Sequence, residues 1–136
     1  MTAIRHNVVI KATPEKIYEA ITTQEGLASW WAKQTIAKPE VGFTNVFTFG
    51  PYRNEMEVMQ LTPNKSVDWK CINSIEEWVG TNISFDIEEK EGRTILRFTH
   101  GGWRAVTDTF ADCNYNWALF VKSLKSLCET GTGAPQ

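Results

Sequence analysis

The chain has 136 residues, 42% of them hydrophobic, with 14 Lys and Arg against 16 Asp and Glu, a formal net charge of −2. That length suits a single domain that buries a real core without disulfide or metal staples. The charge balance, with no basic cluster, excludes the footprint of a nucleic-acid or anionic-membrane binder, and no run nears the roughly 18 consecutive apolar residues of an inserted helix.

The first strand is IRHNVVIKA, Ile4 to Ala12, with Ile4, His6, Val8, Ile10 and Ala12 on one face. Thr13 caps the following helix, with Pro14 at its first position and Glu15 near the positive end of its dipole. Ile17, Ala20 and Ile21 form its apolar stripe. Thr22 and Thr23 end it, and QEGLASWWA begins a second short helix. In that helix Trp30 and Trp31 lie three and four positions beyond Leu27, so both flank it on one broad face. They read either as a plug for the open end of a sheet or as a gate, one ring sealing core and the other lining a mouth.

Five more strands follow. VGFTNVFTFG places Phe43, Phe47 and Phe49 on one side; PYRN is a turn; EMEVMQLT sets Met56 and Val58 against Glu55 and Glu57. Pro63 to Lys65 is a tight turn. SVDWKC aligns Val67, Trp69 and Cys71, and WVGTNISFDIE aligns Ile83, Phe85 and Ile87. After the turn EKEG, RTILRFTHGG aligns Leu96, Phe98 and His100. Short connections predict antiparallel pairing, and one apolar face per strand predicts a sheet covered on one side. The last element, Asp108 to Glu129, gathers Phe110, Cys113, Trp117, Phe120, Val121, Leu124, Leu127 and Cys128 within an arc of roughly 120°. Residues 131–136 carry no periodicity and are expected to be a disordered tail, leaving 1–130 as one domain.

The predicted fold is α+β: a curved antiparallel sheet of about six strands around a long C-terminal helix, with two short helices after the first strand. Seven Phe, six Trp and three Tyr supply its inner faces with rings. Such rings either fill the interior or line a cavity between sheet and helix, where His100, Asn45 and Tyr115 are the candidate polar groups. The first dozen residues show no apolar region of a secretion signal. Cys71, Cys113 and Cys128, odd in number and widely spaced, then read as reduced, inert thiols of a cytoplasmic protein. In that compartment the sequon Asn82-Ile83-Ser84 is a chance match.

The segments ATPEKIYEAITTQEGLASWW, FTHGGW and NWALFVKSLKSLCE resemble the family of activators of heat-shock-protein-90 ATPase, within the START and polyketide-cyclase-like (SRPBCC) superfamily. The resemblance runs from about Ile4 to Glu129. It implies the helix-grip fold, often with a hydrophobic cavity. A glycine commonly precedes the Trp of the last helix in that family; Asn116 stands here.

Aromatic density and the resemblance together suggest a non-enzymatic module holding a small hydrophobic molecule, lined by Trp31, Phe43, Phe47, Trp69, Phe85, Phe98, His100, Trp103 and Trp117. A second reading is a protein-interaction or co-chaperone-like module in the stress response. It would meet a chaperone or a second copy through Tyr115 and Leu119, four apart and nearly opposite the core arc; cover by the segment WRAVTD is the plainer account of that pair. A third is a small-molecule cyclase or hydrolase. No nucleophile–base pair supports it, and no catalytic residue is assigned. His100 reads as a hydrogen-bonded strand-end histidine or as a polar anchor in the cavity. Glu76-Glu77 and Glu88-Glu89 read as solvated loop charges rather than an acid/base pair. Two histidines without HExxH or CxxC spacing predict no metal, and no cofactor is expected.

Overall fold

The structure is a computed structural model that describes residues 2–136. Strand β1 (Thr2–Ile10) leads into helices α1 (Pro14–Thr22) and α2 (Gln24–Trp30). Strands β2 (Gln34–Ile36), β3 (Thr44–Phe49), β4 (Tyr52–Thr62), β5 (Ser66–Asn73), β6 (Asn82–Lys90) and β7 (Arg93–Trp103) follow, and α3 (Asp108–Thr130) closes the chain. The strands form one open antiparallel sheet in the order β1-β7-β6-β5-β4-β3-β2. This is the helix-grip fold, with one strand more than the sequence suggested. The extra strand, β2, is three residues long, too short for its alternation to be read. It exists because Thr35 pairs with Phe47 on the neighbouring strand.

Strand alternation places the core. Phe47, Met56, Val58, Val67, Trp69, Ile83, Phe85, Leu96 and Phe98 are buried on the inner face, while Asp86 and Lys70 are exposed on the outer one. Helix α3 answers with Trp117, Val121, Leu124 and Cys128, spaced four, three and four apart and all buried. Its start is fixed by Thr107, whose hydroxyl accepts from Phe110 N (3.2 Å) and donates to Glu77 Oε1 (2.6 Å). Its end is a left-handed Gly131 (φ 86°).

Three local expectations change. Tyr52 to Asn54 belong to β4 rather than to a turn, because the reversal is completed at Gly50 and Pro51. Trp78 lies in the β5–β6 connection, not in a strand. The segment after Gly131 is held rather than loose: Ala134 N donates to Ser123 Oγ (2.7 Å), Gln136 N to Trp31 O (2.9 Å), and Lys33 N to Gln136 O (3.0 Å). Main-chain hydrogen bonds do this work, and they leave no trace in side-chain periodicity.

Helices α1 and α2 meet tightly. Thr23 ends α1 and caps α2, its hydroxyl accepting from Gly26 N (3.0 Å). A Cβ on Gly26 would stand 2.7 Å from Ala20 Cα and 2.8 Å from the Ala20 and Glu19 carbonyl oxygens. All three are backbone atoms and cannot rotate away. Gly26→Ala is therefore expected to destabilise the fold by about 1–3 kcal/mol through overpacking, although alanine is the better helix former. Urea unfolding of the variant checks the sign.

Candidate functional site

The rings on the inner face pack against each other. Trp31 stands at the hub, with centroids 4.4 Å from Phe47, 5.1 Å from Trp117, 5.4 Å from Phe49 and 6.1 Å from Trp69. Trp117 continues the stack, 4.3 Å from Phe98 and 5.9 Å from Trp78. Phe85 meets Trp69 at 5.2 Å and Phe98 at 5.3 Å. These are contact separations for aromatic pairs, so the rings occupy the space between sheet and helix themselves. Trp30 lies beside Trp31 at 6.0 Å, nearly parallel, with its Nε1 donating to Ala20 O (2.8 Å). Trp30, the last residue of α2, and Trp31, its C-cap, are thus both buried side by side.

Of the nine residues expected to line a cavity, eight are buried in or next to this cluster: Trp31, Phe47, Trp69, Phe85, Phe98, His100, Trp103 and Trp117. Phe43 is not among them. It precedes β3, is only half-buried, and carries Lys38 Nζ over its ring at 5.5 Å. Its parity matches Phe47, but it lies ahead of Thr44, the first residue of β3.

His100 has no free ring nitrogen. Trp117 Nε1 donates to its Nδ1 (3.1 Å), and its Nε2 faces Thr81 Oγ1 (2.8 Å). The Thr81 hydroxyl donates to Trp78 O (2.5 Å), so it accepts from His100. That chain of donors assigns the neutral Nε2–H tautomer. Burial lowers the imidazole from its ordinary range to about 3. His100 is therefore a core fastener, unsuited to proton transfer near neutral pH.

The other candidates disperse. Glu77 is held below its usual range by hydrogen bonds from Thr107 and Thr109, and Glu88 pairs with Arg97 at 2.8 Å. Burial pushes the Cys71 and Cys128 thiols up to about 11, which removes the thiolate that nucleophilic work needs. Asn45 is buried, with Oδ1 accepting from Lys38 N. Tyr115 and Leu119 are 68% and 47% exposed, so WRAVTD does not cover them.

Concave space lies at the mouth of the sheet rather than within it. A cleft of about 430 Å³ opens between the β3–β4 hairpin, the β5–β6 connection and α3, lined by Trp31, Phe49, Tyr52, Asn54, Ser74, Ile75, Trp78, Asp112, Cys113, Asn116 and Phe120. Only Trp31 comes from the nine. Phe49, Tyr52, Trp78 and Phe120 are the rings the expected lining lacked. Trp78, read from the sequence as the start of a strand, sits in a connection, donates Nε1 to Cys113 Sγ (3.3 Å) and stacks on Trp117. A second groove of about 880 Å³ shares Phe49, Asn116 and Phe120, and runs past Leu119 to Ala134 and Gln136. Asn116, where the resembling family commonly has glycine, stands where the two meet.

Comparison with known proteins places this arrangement. The solution structure of the Aha1 dimer from Colwellia psychrerythraea superimposes with a TM-score of 0.91 at 44% identity, over 98% of this chain and 100% of that one. The crystal structure of SSP2350 from Staphylococcus saprophyticus shares the fold at 16% identity, with a TM-score of 0.81 over 98% and 96%. DynU16, from the dynemicin biosynthetic locus, shares it at 20% identity and a TM-score of 0.80, over 96% of this chain and 48% of its own. No curated protein matches the chain. The family model described as Activator of Hsp90 ATPase homolog 1-like protein matches residues 11–129. The chain belongs to that family.

Proposed function

We propose that this protein is a non-catalytic binding module that holds a small apolar molecule in the cleft at the mouth of its sheet. The observation that carries the reading is the cleft itself. Its 430 Å³ falls within the range of small-molecule sites, and Trp31, Phe49, Trp78 and Phe120 give it an aromatic lining. The rings behind it are locked by mutual packing, so the lining is preorganised and a ligand need not order it. Behind the cleft His100 has both nitrogens paired and Glu77 is tied to the cap of α3; in the lining Ser74 donates to Asn54 Oδ1.

Mass spectrometry under native and then denaturing conditions tests this. A reproducible apolar adduct, released on unfolding and reduced at least ten-fold in Phe120→Lys, is expected. An adduct held equally by that variant overturns the assignment to the cleft.

A second reading is an Aha1-like interaction module that pairs with a second copy or a chaperone. The 44% identical relative is a dimer, and Tyr52, Tyr115 and Leu119 are exposed. The native mass reports monomer or dimer in the same experiment. Absence of binding to purified heat-shock protein 90 would remove the chaperone form.

A further inference from the structure

The 430 Å³ cleft has an apolar end and an acidic end. Helix α3 contributes Asp112, Asn116 and Phe120 to it, spaced four residues apart and so in a row along one side of the helix. Asp112 and Asn116 are exposed and Phe120 is half-buried. At 1.5 Å per residue, Asp112 stands about 12 Å along the helix axis from Phe120. The β3–β4 hairpin contributes Phe49 and Tyr52, partners across the two strands. Phe49 is half-buried, its ring 6.3 Å from that of Phe120, and Tyr52 is exposed. These three rings have free surface to offer a ligand; Trp31 and Trp78 behind them are buried.

The charge of the lining has one sign. Among the described residues that line the cleft, Asp112 is the charged one; Tyr52, Asn54, Ser74 and Asn116 are neutral polar groups, and Ser74 already donates to Asn54 Oδ1. Glu77 strengthens the negative field at the same end. The thiol of Cys113, also in the lining, is raised first by burial and then by the charges of Asp112 and Glu77, against the lowering hydrogen bond from Trp78. Arg104 acts on Glu77 but lines the separate cleft beside Trp103.

We infer that the cleft takes a monocationic amphiphile, its apolar body against Phe49 and Phe120 and its ammonium group toward the Asp112 carboxylate. This rests on the reading of the cleft as a binding site. A neutral compound of the same shape gains only from the rings. A cation gains from the carboxylate as well, and from any ring face it passes. An anionic head group meets Asp112 as a like charge. Asp112 is exposed, so water screens the pair and the preference is moderate.

Three probes with one chain and different heads separate the terms: octylammonium, octan-1-ol and octanoate, each titrated near neutral pH and low salt into uniformly ¹⁵N-labelled full-length protein. The backbone amides of Phe49, Asp112, Asn116 and Phe120 are followed by NMR. The ammonium is expected to bind about 3–5-fold more tightly than the alcohol, the worth of an exposed ion pair, and the carboxylate more weakly than the alcohol. Asp112→Asn should bring the ammonium-to-alcohol ratio toward one and leave the affinity for the alcohol unchanged. High salt should shrink the same ratio in the wild type. Asp112 lies on the exposed flank of α3, so the variant should unfold at the wild-type urea midpoint. Equal binding of ammonium and alcohol with shifts at Phe49 and Phe120, or a preference that survives Asp112→Asn, overturns the role of Asp112 and keeps the cleft. Absence of any shift at the four amides with all three probes overturns the cleft and the cation preference together.

Discussion

Trp117→Ala is expected to lower the unfolding free energy by about 5 kcal/mol, combining a ring-sized cavity with an unpaired buried acceptor. Trp117 is 1% exposed and touches rings from four directions: Phe98 from β7, Trp31 after α2, Trp78 from the β5–β6 connection, and Phe120 one turn along α3. Trp117 therefore joins helix, sheet and connection. Truncation to alanine deletes the ring and also strands His100 Nδ1. A domain of this size is stable by roughly 5–15 kcal/mol in total, so the loss would unfold much of the population at the lower end of that range. Trp117→Phe divides the effect. It keeps most of the packing and removes only the N–H, and should cost about 1–3 kcal/mol. Urea midpoints of wild type and both variants give the comparison. An alanine variant within 1 kcal/mol of wild type would mean that the stack does not hold α3 to the sheet.

How much of this was legible beforehand depended on periodicity. Helix α3 could be read almost to its ends because Trp117, Val121, Leu124 and Cys128 repeat at the helical period. Strands β5, β6 and β7 could be read from their alternation. Elements without a period were lost. Strand β2 has three residues, Trp78 sits in a connection, and the last residues are fixed by main-chain bonds to Trp31 and Lys33. The candidate site suffered most. Parity identifies which residues face inward, and it did so for Phe47, Trp69, Phe85 and Phe98. Whether inward rings enclose a void or fill it is decided by ring tilt at the scale of an ångström, which parity cannot report. The cleft is formed instead by Phe49, Tyr52, Trp78, Cys113, Asn116 and Phe120. Those residues sit at strand ends, in connections and on the flank of the helix arc, where pattern is weakest.

Stability should fall as pH drops below about 6.5, and His100 should be the main cause down to about pH 5. Unfolded histidine titrates near 6.5, whereas burial holds folded His100 down to about 3. Above pH 6.5 both states carry the neutral ring and His100 adds no pH dependence. Below it the unfolded chain takes up a proton that the folded chain refuses, so stability drops by about 1.4 kcal/mol per pH unit, continuing until the folded ring titrates. The hydrogen bonds give the refusal a second physical basis. A proton on Nδ1 would face the Trp117 N–H, donor against donor, in place of the present acceptor. Glu77 and Glu129, both held below their ordinary range by hydrogen bonds, also lose stabilising interactions on acidification, but only once their unfolded carboxyls begin to protonate, near pH 4.5. Asp68, raised by burial, acts in the opposite sense. The interval between pH 6.5 and 5 therefore lies above the titration of these carboxyls, and the comparison with a His100 variant assigns the slope to this ring. Urea unfolding across the interval should show the steep slope in wild type and a flatter one in His100→Gln, whose amide still offers a donor and an acceptor. The imidazole ¹⁵N shifts of the folded protein should stay those of the neutral Nε2–H tautomer to pH 4. A folded His100 that titrates near 6 would break the hydrogen-bond chain assigned to Trp117, His100, Thr81 and Trp78, and would return this side chain to the list of groups able to move protons at neutral pH.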